Sequence, residues 1–107
     1  RDEGYLIMGS GNIVHNLRRI EWDSPSGTPT TIEFDRYIAD AVLANDTDKV
    51  INYAQHPQAS YAAPTPDHYL PLIYIMGASK SAKPTVFNQT YSLGSLSMTG
   101  FIFEDAE

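Results

Sequence analysis

The chain has 107 residues, 42% of them hydrophobic, with seven Lys and Arg against thirteen Asp and Glu and no Cys. This length holds one small domain, or a piece of one, and excludes a two-domain enzyme. A net charge of −6 with scattered basic residues argues against phosphate backbones and anionic membranes as partners, and without cysteine there are no disulfides, thiolate-held clusters or cysteine nucleophile.

Tyr5 to Met8 form a short apolar run broken by Gly9-Ser10-Gly11-Asn12, which predicts a buried strand feeding a tight turn. Ile13 to Arg19 suit one or two helical turns, with Ser10 or Asn12 as the cap and Ile13, Val14 and Leu17 on one side. Trp22 to Thr31 has loop composition. From Ile32 to Leu43 the apolar residues recur at helical spacing, predicting an amphipathic helix capped by Thr30 or Thr31. A shorter helix is expected from Thr47 to about Ala54, capped by Asp46 or Thr47. The stretch from His56 to Pro66 is punctuated by prolines and reads as a structured loop.

The next helix, around His68 to Ser79, is apolar on nearly every side, which predicts burial in the core. Pro71 must lie in its first turn, so Asp67 is the expected cap and His68 the opening residue. Pro84 to Asn88 and Leu96 to Phe103 read as strands, with a hairpin over Thr90 to Ser95 around Gly94. The segment from His68 to Ser79 is too short to span a bilayer, and no basic segment followed by a long apolar run opens the chain. The chain starts on Arg1 rather than Met, as a trimmed part of a longer polypeptide would.

Chemistry must come from few groups. His15 follows a strand–glycine turn, where open α/β sheets place ligand-binding residues, the alternative being a partly buried ring bonded to a backbone carbonyl. His68 sits between a proline-rich loop and an apolar helix, where the positive helix terminus favours a neutral ring able to ligate a metal, the alternative being a capping or packing role. His56 reads as structural or exposed. Gly9-Ser10-Gly11 lacks the third glycine of a dinucleotide fingerprint, since position 14 is Val14, and the Lys-Ser/Thr pair of a P-loop. A hydrolytic triad of Ser10, His15 and Asp67 is a distant option, because Ser10 is not in a Gly-x-Ser-x-Gly elbow. Asp67 is a candidate cap, a partner for an imidazole, or both. Tyr69, Tyr74 and Tyr91 read as core and rim rather than as an aromatic-substrate pocket.

Taken together, Gly9-Ser10-Gly11-Asn12-Ile13-Val14-His15-Asn16-Leu17, Pro64-Thr65-Pro66-Asp67-His68-Tyr69-Leu70-Pro71-Leu72 and Gly77-Ala78 resemble the carboxyl-terminal half of the class III extradiol ring-cleavage dioxygenases. The nearest branch is the 4,5-DOPA extradiol dioxygenase type, with its Gly-Ser-Gly-x-x-x-His-Asn-Leu turn and Pro-x-x-x-His-x-x-Pro-Leu segment. Tyr91 to Met98 also resembles that branch's last strands, so the likeness runs over essentially the whole chain.

The resemblance implies an α/β core with non-haem ferrous iron at one end, a small catechol and O₂ as substrates, and a cytoplasmic enzyme. By resemblance His68 is a metal ligand, and His15 lies at the metal centre as the catalytic acid/base or as a further ligand, the acid/base role being preferred. Asp67 is expected to orient and Asn16 to add a hydrogen bond. Zinc is a candidate occupant of the same nitrogen ligands in isolated protein, inert in the redox step. The family's two further histidines, from its amino-terminal half, have no counterpart here. The expectation is therefore a fragment, inactive alone, that pairs with the missing half or with another copy. The competing reading is a noncatalytic, self-associating piece without a metal site.

Overall fold

The computed structural model describes residues 2–80 and 82–105. Its longest element is helix α1, Pro29–Leu43, which starts three residues earlier than its apolar spacing suggests. Pro29 lacks only an N–H that the first turn leaves unpaired, and the Thr28 hydroxyl accepts from the Thr31 N–H at 3.3 Å. Thr28 is thus the cap, and Thr31 is buried inside the helix. The helix lays Phe34, Ile38, Ala41 and Val42 into the core, with Thr31 and Asp35 on the same buried side.

The predicted second helix divides. Helix α2, Thr47–Ile51, is capped by Asp46, and Tyr53–Gln55 form a separate 3₁₀ turn. The proline-punctuated stretch is not loop throughout: between Pro57 and Pro64 the chain makes a one-turn helix, α3, Ala59–Ala62. Helix α4, Leu70–Ser79, begins two residues beyond His68, because the Tyr69 and Leu70 N–H groups both close a turn onto the Pro66 carbonyl, at 3.0 and 2.9 Å. That turn leaves Asp67 no helix terminus to cap, so the expected Asp67 cap is overturned. Pro71 does sit in the first helical turn, as expected.

Nor is α4 buried all round. Met76 and Ser79 are covered and Leu72, Ile73 and Ile75 partly so, whereas Tyr74 is 74% exposed.

Two small antiparallel sheets complete the α/β fold. Strand β1, Lys83–Phe87, pairs with β4, Gly100–Glu104, while β2, Tyr91–Ser92, pairs with β3, Leu96–Ser97. The predicted hairpin is present. Its turn runs through Leu93 and Gly94 at φ 52° and 81°, the left-handed region in which glycine is unstrained. The single strand expected over Leu96 to Phe103 is split at Met98–Thr99 between the two sheets.

The amino-terminal expectations are corrected most. Tyr5 to Met8 form no strand and are exposed, Leu6 at 85% and Met8 at 83%, and the run lines a cavity with Ile75, Phe87 and Ile102 instead of pairing with a strand. Ile13 and Val14 are buried in non-helical chain, with Ser97 N–H donating to the Val14 carbonyl at 3.0 Å. Helix is confined to a 3₁₀ turn, Leu17–Arg19, capped by Asn16 rather than Ser10 or Asn12, with Leu17 pointing to solvent. Among the described residues no helix is long and apolar enough to cross a membrane.

Candidate functional site

The segment Asn12–Asn16 is held from both sides by main-chain bonds. On one side lies the β2–β3 hairpin: His15 bridges Leu96, and the Asn16 N–H donates to the Ser95 carbonyl at 3.1 Å. On the other lies the α3–α4 connection: the His15 N–H donates to the Ala62 carbonyl and the Asn12 N–H to the His68 carbonyl, both at 2.8 Å. The second glycine of Gly-Ser-Gly permits the last contact. A Cβ on Gly11 would lie 2.2 Å from the His68 carbonyl oxygen, inside any tolerated approach.

This backbone junction brings the two singled-out histidines together. The His15 and His68 rings stack with centroids 3.7 Å apart and planes inclined by 21°. Desolvation first, and the neighbouring His68 second, lower the His15 pKa below 6.5, so at neutral pH this imidazole is unprotonated and free to accept a proton. Asp67 Oδ2 lies 3.4 Å from His68 Nε2, on a half-exposed rim. The Thr65 hydroxyl, donating to Asp67 Oδ1, holds that carboxyl below its ordinary range, so it remains an anion beside the imidazole.

Asn16 does not face this pair with its side chain. Its Oδ1 accepts from the Arg18 N–H at 3.0 Å and its Nδ2 donates to the Tyr61 carbonyl at 2.6 Å, so its amide holds the loop that carries His15. His56 packs on Phe34 and Tyr37 at 5.3 and 4.5 Å, away from the other two histidines, as a structural residue. Ser10 is exposed and makes no hydrogen bond to His15 among the described residues, which leaves a hydrolytic triad without its first link. The three tyrosines disperse: Tyr69 is buried, Tyr74 exposed, and Tyr91 bonded to Asp35. A cavity of about 110 Å³ opens beside His68, between Gly11, Asn12, Tyr69, Thr99 and Phe101.

The donor chemistry suits a borderline divalent cation: a neutral imidazole, a second imidazole and a carboxylate beside it. The number does not close a site, because the described residues contain no group of three or more His, Asp or Glu placed to hold a metal. Imidazole lone pairs lie in the ring planes, and in the stack those planes run side by side.

Asp35 is the buried polar residue that helical patterning misses. It is fully buried, and its Oδ2 accepts from Thr99 Oγ1 at 2.9 Å, Tyr91 OH at 3.1 Å and Gln89 Nε2 at 3.4 Å. A signal was available, since Asp35 lies four residues after Thr31 and three before Ile38, on the stripe that faces inward.

No protein-family profile matches the chain. It is 38% identical over 103 residues to a 4,5-DOPA dioxygenase extradiol of Escherichia coli (strain K12), covering 92% of this chain and 38% of that protein. The protein of the same name from Portulaca grandiflora is 31% identical over 106 residues, covering 96% of this chain and 39% of its own length. The fold is also that of part of an uncharacterized protein from Escherichia coli K12, known from its crystal structure. The two superpose with a TM-score of 0.81 and 36% identity, over 94% of this chain and 43% of that one. The chain thus spans about two-fifths of the length of the curated relatives it matches. By sequence and by fold, it belongs to the class III extradiol dioxygenases, in their 4,5-DOPA dioxygenase extradiol branch.

Proposed function

We propose that this chain is the carboxyl-terminal part of an iron-dependent dioxygenase that opens the ring of a DOPA-like catechol with O₂, and that it contributes one wall of the metal centre. The observation that carries this reading is the His15–His68 stack, which joins the two motifs at one point with His15 neutral. In this reading His68 is a metal ligand and His15 the acid/base. Bound ferrous iron supplies the one-electron chemistry that triplet dioxygen needs, which zinc does not.

The chain's own groups do the rest. His15, unprotonated at neutral pH, takes a hydroxyl proton from the catechol and later returns one to the opened product. Asp67 stays charged beside His68 and orients its ring, the role that carboxylates commonly play behind metal-binding imidazoles. Asn16 fixes the backbone from which His15 projects. Two histidines do not complete a ligand set, so the chain alone is inactive and needs the remaining part of a family protein.

The test uses a complete family protein carrying this segment. His68→Ala is expected to lose metal and turnover together, whereas His15→Ala keeps its metal and loses turnover. If His15→Ala also empties the site, His15 is a ligand and the acid/base assignment is wrong. A second reading, a noncatalytic piece that associates with itself, draws on the exposed run of Tyr5, Leu6 and Met8. It predicts no metal in the complete protein either, so the same metal analysis separates the two.

A further inference from the structure

Asp35 is buried and in no ion pair among the described residues, the Arg36 guanidinium acting on Tyr91 rather than on the carboxyl group, an expensive place for a carboxylate. All three of its donors, Gln89, Tyr91 and Thr99, come from the β2–β3 hairpin and its flanks. They converge on Oδ2, while Oδ1 has no hydrogen-bond partner among the described residues. A residue kept for the general stability of the core would be better replaced by an apolar one of similar size. The bonding here is one-sided, directed wholly at the hairpin.

The hairpin in turn is the rail for the His15 segment. The Ser97 N–H donates to the Val14 carbonyl at 3.0 Å, the Val14 N–H donates to Ser97 Oγ at 3.2 Å, and Leu96 bridges His15. One helical turn before Asp35, Thr31 Oγ1 donates to the Gly94 carbonyl at 2.7 Å, gripping the hairpin at its turn. Helix α1 therefore holds the hairpin at two levels, the turn through Thr31 and the base, at Tyr91 and the flanking Gln89 and Thr99, through Asp35. We propose that Asp35 is a positioning residue for His15: by gathering Tyr91, Thr99 and Gln89 onto one carboxylate oxygen, it sets the depth at which the hairpin presents His15 to His68. Burial first, and the Asp35 carboxylate second, push the Tyr91 hydroxyl up to about 12, so this donor keeps its proton throughout the physiological range.

Its functional meaning rests on the reading of His15 as a group of the metal-side site, but its test does not. The three histidines of the full chain give three sets of imidazole signals in a nuclear magnetic resonance spectrum taken at one pH. His15 and His68 report on the stack, and His56, lying on Phe34 and Tyr37 of α1, reports on the helix side. Asp35→Ala is expected to lose the ring-to-ring cross-peak between His15 and His68 with the His56 signals in place, and Asp35→Asn, which keeps an acceptor oxygen, to recover it.

A folded Asp35→Ala that retains the cross-peak overturns the proposal, as does loss of all three histidine environments together, which marks a general core residue. Where Asp35→Ala does not fold, Tyr91→Phe withdraws one donor from the same carboxylate. A displaced His15 ring then supports the proposal, and an unmoved one overturns it. Metal retention by His15→Ala in the complete protein reads the proposed function separately, so either can fail without the other.

Discussion

Replacing Gly11 by alanine tests the junction on which the site depends. The added Cβ would stand 2.2 Å from the His68 carbonyl oxygen, whereas carbon–oxygen contacts settle at about 3.3 Å. One strand of the junction must therefore retreat by roughly 1 Å, and the obstacle is main chain, which cannot swing away as a side chain would. That retreat breaks the Asn12 N–H bond to the same oxygen, now 2.8 Å, worth about 1 kcal/mol. Overpacking of this kind adds about 1–3 kcal/mol, for a total near 2–4 kcal/mol. In a domain of this size each kcal/mol lowers the melting temperature by about 4–8 °C. Urea and thermal unfolding of the full chain measure the loss, and imidazole spectra show whether the rings still stack. A change below about 0.5 kcal/mol with the stack intact would refute the argument that close backbone approach, rather than loop flexibility or anion binding, explains this glycine.

Tyr69→Phe removes the hydroxyl that donates to the Val50 carbonyl at 2.7 Å in a fully buried position. It leaves that carbonyl unpaired at a cost of about 1–3 kcal/mol, readable as a lower urea midpoint with an unchanged slope. His15 is expected to titrate below 6.5, for desolvation and its neighbour His68 both disfavour the charged ring. As the pH falls through 6.5 the unfolded chain takes up this proton before the folded one does. Its contribution to stability is therefore complete above 6.5 and lost below it, down to the folded value. Imidazole titration of folded chain gives that midpoint, and a midpoint at or above 6.5 would contradict the packing of the two rings.

The pairing of His15 with His68 was legible through the family resemblance alone, since the Gly-Ser-Gly and Pro-x-x-x-His motifs stand in the family's order and neither motif by itself brings the two rings together. The geometry of the pair was not, since a stack depends on main-chain bonds between Asn12–His15 and Ala62–His68 that no local pattern records. Asp67 shows the limit of capping rules: a Thr-Pro-Asp sequence before an apolar run has the composition of a helix start, but the Pro66 carbonyl captured the first two free N–H groups and moved the helix onward. Hydropathy identified Tyr5 to Met8 as residues suited to burial without saying against what, and among the described residues they stay exposed, Ile7 the least so. Asp35 was passed over because a charged residue in an amphipathic helix is normally assigned to the wet side. Its placement on the Thr31–Ile38 stripe was visible from spacing alone.

The main-chain clamp around Asn12–Asn16 has a consequence for how such a protein tolerates change. Most of the bonds that bring His15 to His68 run between peptide groups, so they do not depend on what side chains the intervening positions carry. Substitutions at Ser10, Arg18 or Pro64 can accumulate at little expense to the spacing of the two rings. The intolerant positions are the few that act on backbone shape, such as Gly11, where a single methyl group would part the two strands. Mutational drift in this region should therefore alter the rim around the histidines, and with it what can approach them, well before it alters the distance between them.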